Sequence, residues 1–459
     1  MSQAPTPNET RPPLLSAPSA LQPPYLVGTS LNNNITLYDG ELELEQGSNR
    51  FRHLGSIQFE WLPSPCITFC LRETSTQLLF KVNSDVHIRL HDGRMISSAR
   101  VTSVSMRSRE GQSSWRLVGR VESAPSQAPA LPFSYMMFLL PNFLDMMGGP
   151  ILYPSGTYWA GRIDLRACGW KITIDPIEHP RELREELKGQ SGHLVTHVGR
   201  MEREDGSTFT EEQAGSILEG LRWYLSFVTG SWTGPLLACG YDGNGSRIRE
   251  LWNEVRITPW RFVLTWVDRQ HLNHLTDSFP GYLHHWTDQD WKEVTELATH
   301  WYIEANAQAG SVEGSLVLAQ AAFEMLASAI VVEEKGLVSV DAFEKLPAAD
   351  RIRLLFVWAG VPLAIPASQT ELIALANARN WVDLPQALTG IRNPLTHPTP
   401  RNRERFRNYP PAARTEAWNL ALWLLQMCLL RMCSYTGTYG SRLDLRYVGD
   451  VEPVPWATT

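Results

Sequence analysis

The chain has 459 residues, 43% of them apolar, with 17 tryptophans, enough for two or three cored domains rather than one. Its formal net charge is −7, which excludes a generally basic nucleic-acid coat, so any such binding must use a local patch. The six cysteines (Cys66, Cys70, Cys168, Cys239, Cys428 and Cys433) contain no C-x-x-C pair and are too sparse for a secreted disulfide scaffold.

Residues 1–24, "MSQAPTPNETRPPLLSAPSALQPP", are Pro- and Ser-rich and lack a basic–apolar–cleavage pattern, so they read as a disordered lead-in. From residue 25 to about 275 the text is β-rich. "ITLYDGELELEQG", "FKVNSDVHIRLHDGRMISSARVTSVSMRS", "WRLVGRVES" and "TYWAGRIDLRACGWKITIDP" alternate with partial period two, with Asp-Gly and Gly-Ser turn pairs between them. A sandwich or an open barrel would suit this pattern. One helix interrupts it near residues 210–229, opening at Thr210 before an acidic turn and closing at Gly230. Strand-like text resumes through "LLACGYDGNGSRIRELW".

After "LTDSFPGYLHHWTD" the apolar spacing becomes helical. Five to six helices are expected over residues 288–437, the size of an antiparallel bundle, followed by an extended Pro-rich tail over 438–459. The fold class is therefore α+β. The apolar stretches "SYMMFLLPNFLDMM" and "NLALWLLQMCLLRM" fall short of the roughly 18 uninterrupted apolar residues of a membrane span. No membrane partner and a cytoplasmic location are expected.

The candidate chemistry lies in "IRNPLTHPTPRNRERFRN", where Arg392 and His397 are five residues apart. Chance alone supplies roughly one such pair in this composition, and Arg269–His274 is a second. Context separates them. Arg392 closes a short helix that starts after Asp383 and Pro385. On a straight helix a five-residue step turns about 500°, leaving the side chains about 140° apart. Pro394 should bend or end the helix by removing a donor and crowding the Gly390 carbonyl, and Pro398 should push His397 out of helical geometry. Beyond them come Arg401, Arg403, Arg405, Arg407 and Arg414, a concentrated basic loop in an acidic chain, interleaved with Phe406 and Tyr409. A phosphate-binding Arg–His pair and a helix end followed by a solvated basic face both fit these residues. Glu324, a lone acid on the apolar helix "LVLAQAAFEMLASAIV", is either a partner for Arg392 or a wet-edge residue.

"IRNPLTHP" in a helical C-terminal domain resembles the R-x4–6-H signature of the HEPN superfamily, with Asn393 at the position where that family often has Asn. The helix carrying Glu324 resembles the family's upstream helix. The β-rich half, with "LRWYLSFVTG" before "CGYDGNG", resembles the partner domain of ApeA-type anti-phage proteins. The resemblance implies a metal-independent endoribonuclease with no cofactor, acting as a homodimer with a composite site. It implies a toxin or abortive-infection effector whose N-terminal domain answers a phage-derived or other trigger. His397 would be the general acid/base for attack of the ribose 2′-OH. Arg392 would hold the phosphoryl charge, Asn393 would orient either group, and the arginines from 401 to 414 would bind RNA. The ends would be 2′,3′-cyclic phosphate and 5′-hydroxyl. Thr399 stands where nucleotidyltransferase-silenced members have Tyr, so adenylylation there is not expected. The alternative is a non-catalytic HEPN-like module that binds RNA or protein.

Other histidines offer only partial metal-ligand patterns. His193/His197 and His271/His274 have i, i+4 and i, i+3 spacing but no third ligand nearby, and His284–His285 lie at the domain junction. Structural or surface roles are expected for His193, His197, His271 and His274, a packing or linker role for His284 and His285, and no metal site. There is no P-loop, G-x-G-x-x-G or G-x-S-x-G.

Overall fold

The computed structural model describes residues 17–109, 112–125, 131–308, 311–397, 399–444 and 446–457. The expected lead-in therefore lies outside the described residues up to position 16. Residues 17–24 are held rather than loose: Ser19 bridges Leu152 in parallel, Ala20 is buried, and the Leu21 amide donates to Asp175 Oδ2 at 2.8 Å.

Six strands, β1 (Ile35–Gln46), β2 (Asn49–Glu60), β3 (Cys66–Leu71), β4 (Ser84–Leu90), β5 (Met95–Arg109) and β6 (Gln112–Val121), close into an antiparallel barrel. Around the barrel the order is β1-β2-β3-β6-β5-β4. Closure, rather than a sandwich or open barrel, arises because β1 bonds β2 along one edge and β4 along the other, from Leu42↔Leu90 to Glu45↔His87. Of the Asp-Gly pairs, Asp92-Gly93 makes the β4–β5 turn, with Gly93 at φ +87° where only glycine sits easily. Asp39-Gly40 instead lies inside β1, opposite Ser56 and Gly55.

A seven-stranded sheet follows, built from β7 (Tyr135–Pro141), β8 (Gly149–Leu152), β9 (Tyr158–Ala167), β10 (Trp170–Pro176), β11 (Val195–Arg203), β12 (Leu236–Tyr241) and β13 (Arg247–Leu251). Its order is β13-β12-β7-β11-β10-β9-β8. The apolar run "YMMFLLP" is its strand β7, covered on both faces, so it does not alternate. Leu139 joins the barrel core, while Phe138 and Leu140 join the core shared with the helices. The sheet is thus the middle layer between barrel and bundle.

Two helices interrupt this half, not one. α1 (Arg181–Gln190) buries only Leu183 and Leu187 in a charged sequence, too faint a period to read. α2 (Glu211–Thr229) starts and stops where the sequence placed it. Thr210 and Gln213 form a reciprocal capping box, and Gly230 closes the helix in the left-handed region.

The helical half begins earlier than residue 288, at α3 (Asn273–Thr287), which contains the presumed junction "YLHHW". Then come α4 (Gln289–Asn306), α5 (Ser311–Ala327) with a π-helical continuation Ser328–Glu334, α6 (Val340–Glu344), α7 (Ala348–Ala359), α8 (Thr370–Arg379), α9 (Leu384–Thr396), α10 (Pro400–Arg407) and α11 (Pro411–Met432). Short α6 and polar α10 account for the excess over five or six. The stretch Ser311–Glu334 is long and apolar enough to cross a membrane, and it was not one of the two stretches singled out by sequence. It is mostly buried, as the core helix of the bundle. α3 and the end of α11 cross closely at Gly281, where a Cβ would lie 2.0 Å from the Cys433 carbonyl oxygen. The tail does not trail away: β14 (Thr438–Tyr439) pairs with β15 (Glu452–Pro453), and buried Trp456 donates to the Tyr435 carbonyl at 2.7 Å.

Candidate active site

α9 is set by local chemistry at both ends. Asp383 accepts from the Gln386 amide at 3.0 Å as N-cap and also takes Arg353 Nε from α7 at 2.8 Å. Leu384, Ala387, Leu388 and Ile391 form the buried stripe. Of the bend or end expected at Pro394, the end does not occur: the helix runs through Pro394 to Thr396. The reason is a substitute donor. Pro394 cannot serve the Gly390 carbonyl, and the buried Tyr409 hydroxyl donates to it at 3.4 Å instead. Gly390 itself is pressed against Trp381, whose ring carbon would lie 2.4 Å from a Cβ there.

His397 is the first residue past the helix, with φ −122° and ψ 72°. Its amide donates to the Asn393 carbonyl at 3.0 Å. Its carbonyl accepts the Thr399 amide at 2.8 Å and Asn402 Nδ2 at 2.7 Å. The His397 backbone is therefore fixed on both sides while the residue is exposed. Pro398, expected to force this exit, lies outside the described residues.

Arg392 looks elsewhere. Its Nη2 is 3.6 Å from Glu324 Oε1 on α5, and the other Glu324 oxygen is 3.8 Å from Arg351 Nη1 on α7. Gln320 Nε2, one turn earlier on α5, donates to Glu324 Oε1 at 2.9 Å. Glu324 is thus a shared partner of two guanidinium groups rather than a wet-edge residue. Both contacts are longer than a direct charge-assisted hydrogen bond, so a phosphate could displace the carboxylate. Two buried polar atoms at this cluster, Arg392 Nε and Gln320 Oε1, have no hydrogen-bond partner among the described residues. No hydrogen bond or ion pair joins Arg392 to His397 within the chain among the described residues. Asn393 is exposed between them.

The arginine run is not a loop. Arg401, Arg403, Arg405 and Arg407 ride on α10, which Thr399 caps by accepting from the Asn402 amide at 3.2 Å and which buries none of its residues. Arg401, Arg403 and Arg407 are exposed, whereas Arg405 is half-buried and bonded to Tyr409. Arg414 belongs to α11; it pairs with Glu313 at 2.6 Å and covers the Phe406 ring at 4.9 Å. Arg405 and Arg414 therefore hold α10 in place, and the exposed basic face is narrower than the sequence implied.

Of the other candidate histidines, His193, His197 and His274 are buried, His271 and His285 are half-buried, and His284 is exposed. His197 is buried in β11, bonded to Thr196 Oγ1 at 2.9 Å, and burial lowers its pKa to about 3. His193 stacks on Trp61 at 5.1 Å. His274 accepts the Asp268 amide at 3.1 Å and meets Thr438 Oγ1 at 3.2 Å, with its pKa lowered to about 4 chiefly by burial. It cannot pair with exposed Arg269 as a catalytic unit. His271 leans on Asp268 at 3.1 Å, and His285 on the Gly281 carbonyl at 2.9 Å. No cluster of three metal-ligating side chains occurs among the described residues. Arg351 and Gln320 are the site residues that the sequence did not point to, and Tyr409, read there as an aromatic among the arginines, instead serves the Gly390 carbonyl; each acts through a tertiary contact with no local spacing signal.

Residues 129–263 match the family model of the YopA central domain, and residues 288–452 match that of the YopA C-terminal domain. The chain is similar to YopA. It is 25% identical over 442 residues to the SPbeta prophage-derived uncharacterized protein YopA of Bacillus subtilis (strain 168), covering 93% of this chain and 96% of that protein. No solved structure matches. The C-terminal match takes in α4–α11, the candidate site and most of the folded-back tail.

Proposed function

We propose that this protein is a cytoplasmic, metal-independent endoribonuclease whose site is assembled from two chains, with Arg392 of one and His397 of the other. One observation carries the reading: His397 is presented on a doubly bonded backbone at the open end of α9, next to the exposed basic face of α10. A base fixed in position beside a phosphate-binding surface is the arrangement that general acid/base cleavage of RNA needs.

In the step envisaged, His397 takes the 2′-OH proton as the 2′-oxygen bonds to phosphorus. The bond from phosphorus to the 5′-oxygen breaks, and that oxygen receives a proton. Arg392 neutralises the charge on the non-bridging oxygens, drawn from Glu324 as phosphate enters. DNA lacks the 2′-OH and would not be cut. The prophage origin of the B. subtilis relative fits a role in phage–host conflict, with the barrel and sheet as the regulatory half.

A second reading has its own support. Arg392 faces Glu324 and not His397, which suits a non-catalytic module that binds RNA through Arg401, Arg403 and Arg407. Incubating the purified protein with tRNA and mRNA, with and without EDTA, separates the two. The proposal expects EDTA-resistant cleavage with 2′,3′-cyclic phosphate ends, abolished in Arg392→Ala and His397→Ala. RNA retention without cleavage would favour the binding module, and undiminished cleavage in both variants would sink the assignment.

A further inference from the structure

The C-terminus of α8 brings to the α10 face a basic residue that no spacing along the chain connects to it. Arg379, in the last turn of α8, is half-buried, and its Cζ lies 5.3 Å from the centre of the Tyr409 ring. The Tyr409 hydroxyl accepts a hydrogen bond from Arg405 of α10, so guanidinium groups from two helices approach one buried phenol. Burial raises the Tyr409 phenol, and Arg405 and Arg379 are the charges that act against it. None of Arg379, Arg401 and Arg405 has an ion pair among the described residues. Arg414, which covers Phe406, is by contrast neutralised by Glu313 at 2.6 Å.

Helix geometry sorts the arginines of α10 into two edges. A four-residue step turns about 400°, so Arg401 and Arg405 lie about 40° apart, as do Arg403 and Arg407. A two-residue step sets the edges about 200° apart, and exposed Glu404 falls between them on the outer surface. The Arg401–Arg405 edge begins beside His397, whose carbonyl accepts from Asn402 Nδ2 at 2.7 Å. It leads to Tyr409, four residues past Arg405, and Arg379 stands across that ring. A helix C-terminus favours an arginine in any case, so its place on α8 does not assign Arg379 a role. Its join to the Arg401–Arg405 edge does. A row of arginines without carboxylate partners is the chemistry that recognises successive phosphates of a nucleic-acid backbone.

We propose that RNA bound at His397 runs down the Arg401–Arg405 edge of α10 and across Tyr409 to Arg379, which holds a backbone phosphate outside the reacting site. This track rests on the RNA reading of the α9 end and deepens it.

The full chain is titrated by fluorescence anisotropy with a labelled 2′-O-methyl oligouridine of about 20 nucleotides, between about 50 and 200 mM salt. The probe offers an RNA backbone but lacks the 2′-OH needed for cleavage. Arg379→Gln should bind about fivefold more weakly at about 0.1 M salt, with a salt slope flatter by about 0.7, the mark of one lost phosphate contact on a single strand. Arg379→Lys keeps the charge and should stay within about twofold of wild type. Arg89→Gln removes an equal charge from an exposed position on β4 and should match wild type. Reduced heat stability with an unchanged salt slope in Arg379→Gln would mean that this arginine only packs on Tyr409, and would overturn the track. An equal loss of binding in Arg89→Gln would reduce the effect to net charge and overturn it too. Should Arg379→Gln not fold, amide exchange on wild type decides. The bound oligonucleotide should slow exchange over α10 and over residues 376–380, and protection confined to α10 would overturn the proposal. Failure of wild type to bind the oligonucleotide would instead overturn the RNA reading itself, and the track with it.

Discussion

His197 and His274 give a quantitative pH prediction. Both rings are buried, at 1% and 0% exposure, and burial holds their pKa values at about 3 and about 4. The folded state therefore keeps them neutral, while in the unfolded chain they titrate near 6.5. Their contribution is fully present above pH 6.5 and is lost as pH falls toward those folded values. Between pH 7 and pH 5 the unfolded state gains a proton at each ring that the folded state does not, a loss of about 2 kcal/mol per histidine. Urea unfolding of wild type, His197→Asn and His274→Asn at the two pH values measures this. Each variant is destabilised at both pH values, but its further loss between pH 7 and pH 5 should be about 2 kcal/mol smaller than that of wild type. A pH dependence identical to wild type in both variants would refute the burial argument and reopen the histidines as exposed, ligand-competent groups.

Three further substitutions probe the bundle and the site. Gly281→Ala drives a methyl into the Cys433 carbonyl at a helix crossing, so thermal denaturation should show a loss of about 3 kcal/mol. Tyr409→Phe strips the Gly390 carbonyl of the donor that replaces Pro394; a loss of about 1 kcal/mol is expected, with amide exchange accelerated in α9 and unchanged in the barrel. Glu324→Gln leaves Arg392 and Arg351 without their shared carboxylate. Equilibrium unfolding should show a loss of about 1 kcal/mol, and filter binding should show tighter retention of RNA as the arginines turn to phosphate.

The division into a β-rich half and a helical half was readable because period-two and helical spacing change near residue 270. The caps of α2 and α9 were readable because Thr210, Gly230 and Asp383 act on their own neighbours. Barrel closure was not, since it depends on β1 meeting β4 across the whole hairpin series. The course of α9 through Pro394 was misjudged for the same reason. The local rule for proline is right, but Tyr409, fifteen residues on, supplies the missing hydrogen bond. At the site, residue identity pointed to Arg392, His397 and Glu324. The direction of Arg392, toward α5 rather than toward His397, is a property of packing that no spacing encodes.

That separation is also what the central claim turns on. If Arg392 of one chain serves His397 of another, two inactive proteins can rescue each other. Arg392→Ala and His397→Ala, each confirmed folded by circular dichroism, are unfolded together, refolded as a mixture and assayed on RNA in EDTA. Random pairing places one intact Arg392–His397 set in half of the dimers, so the mixture should regain about a quarter of wild-type cleavage. A mixture as inactive as either variant alone, beside an active wild type treated the same way, would contradict the account.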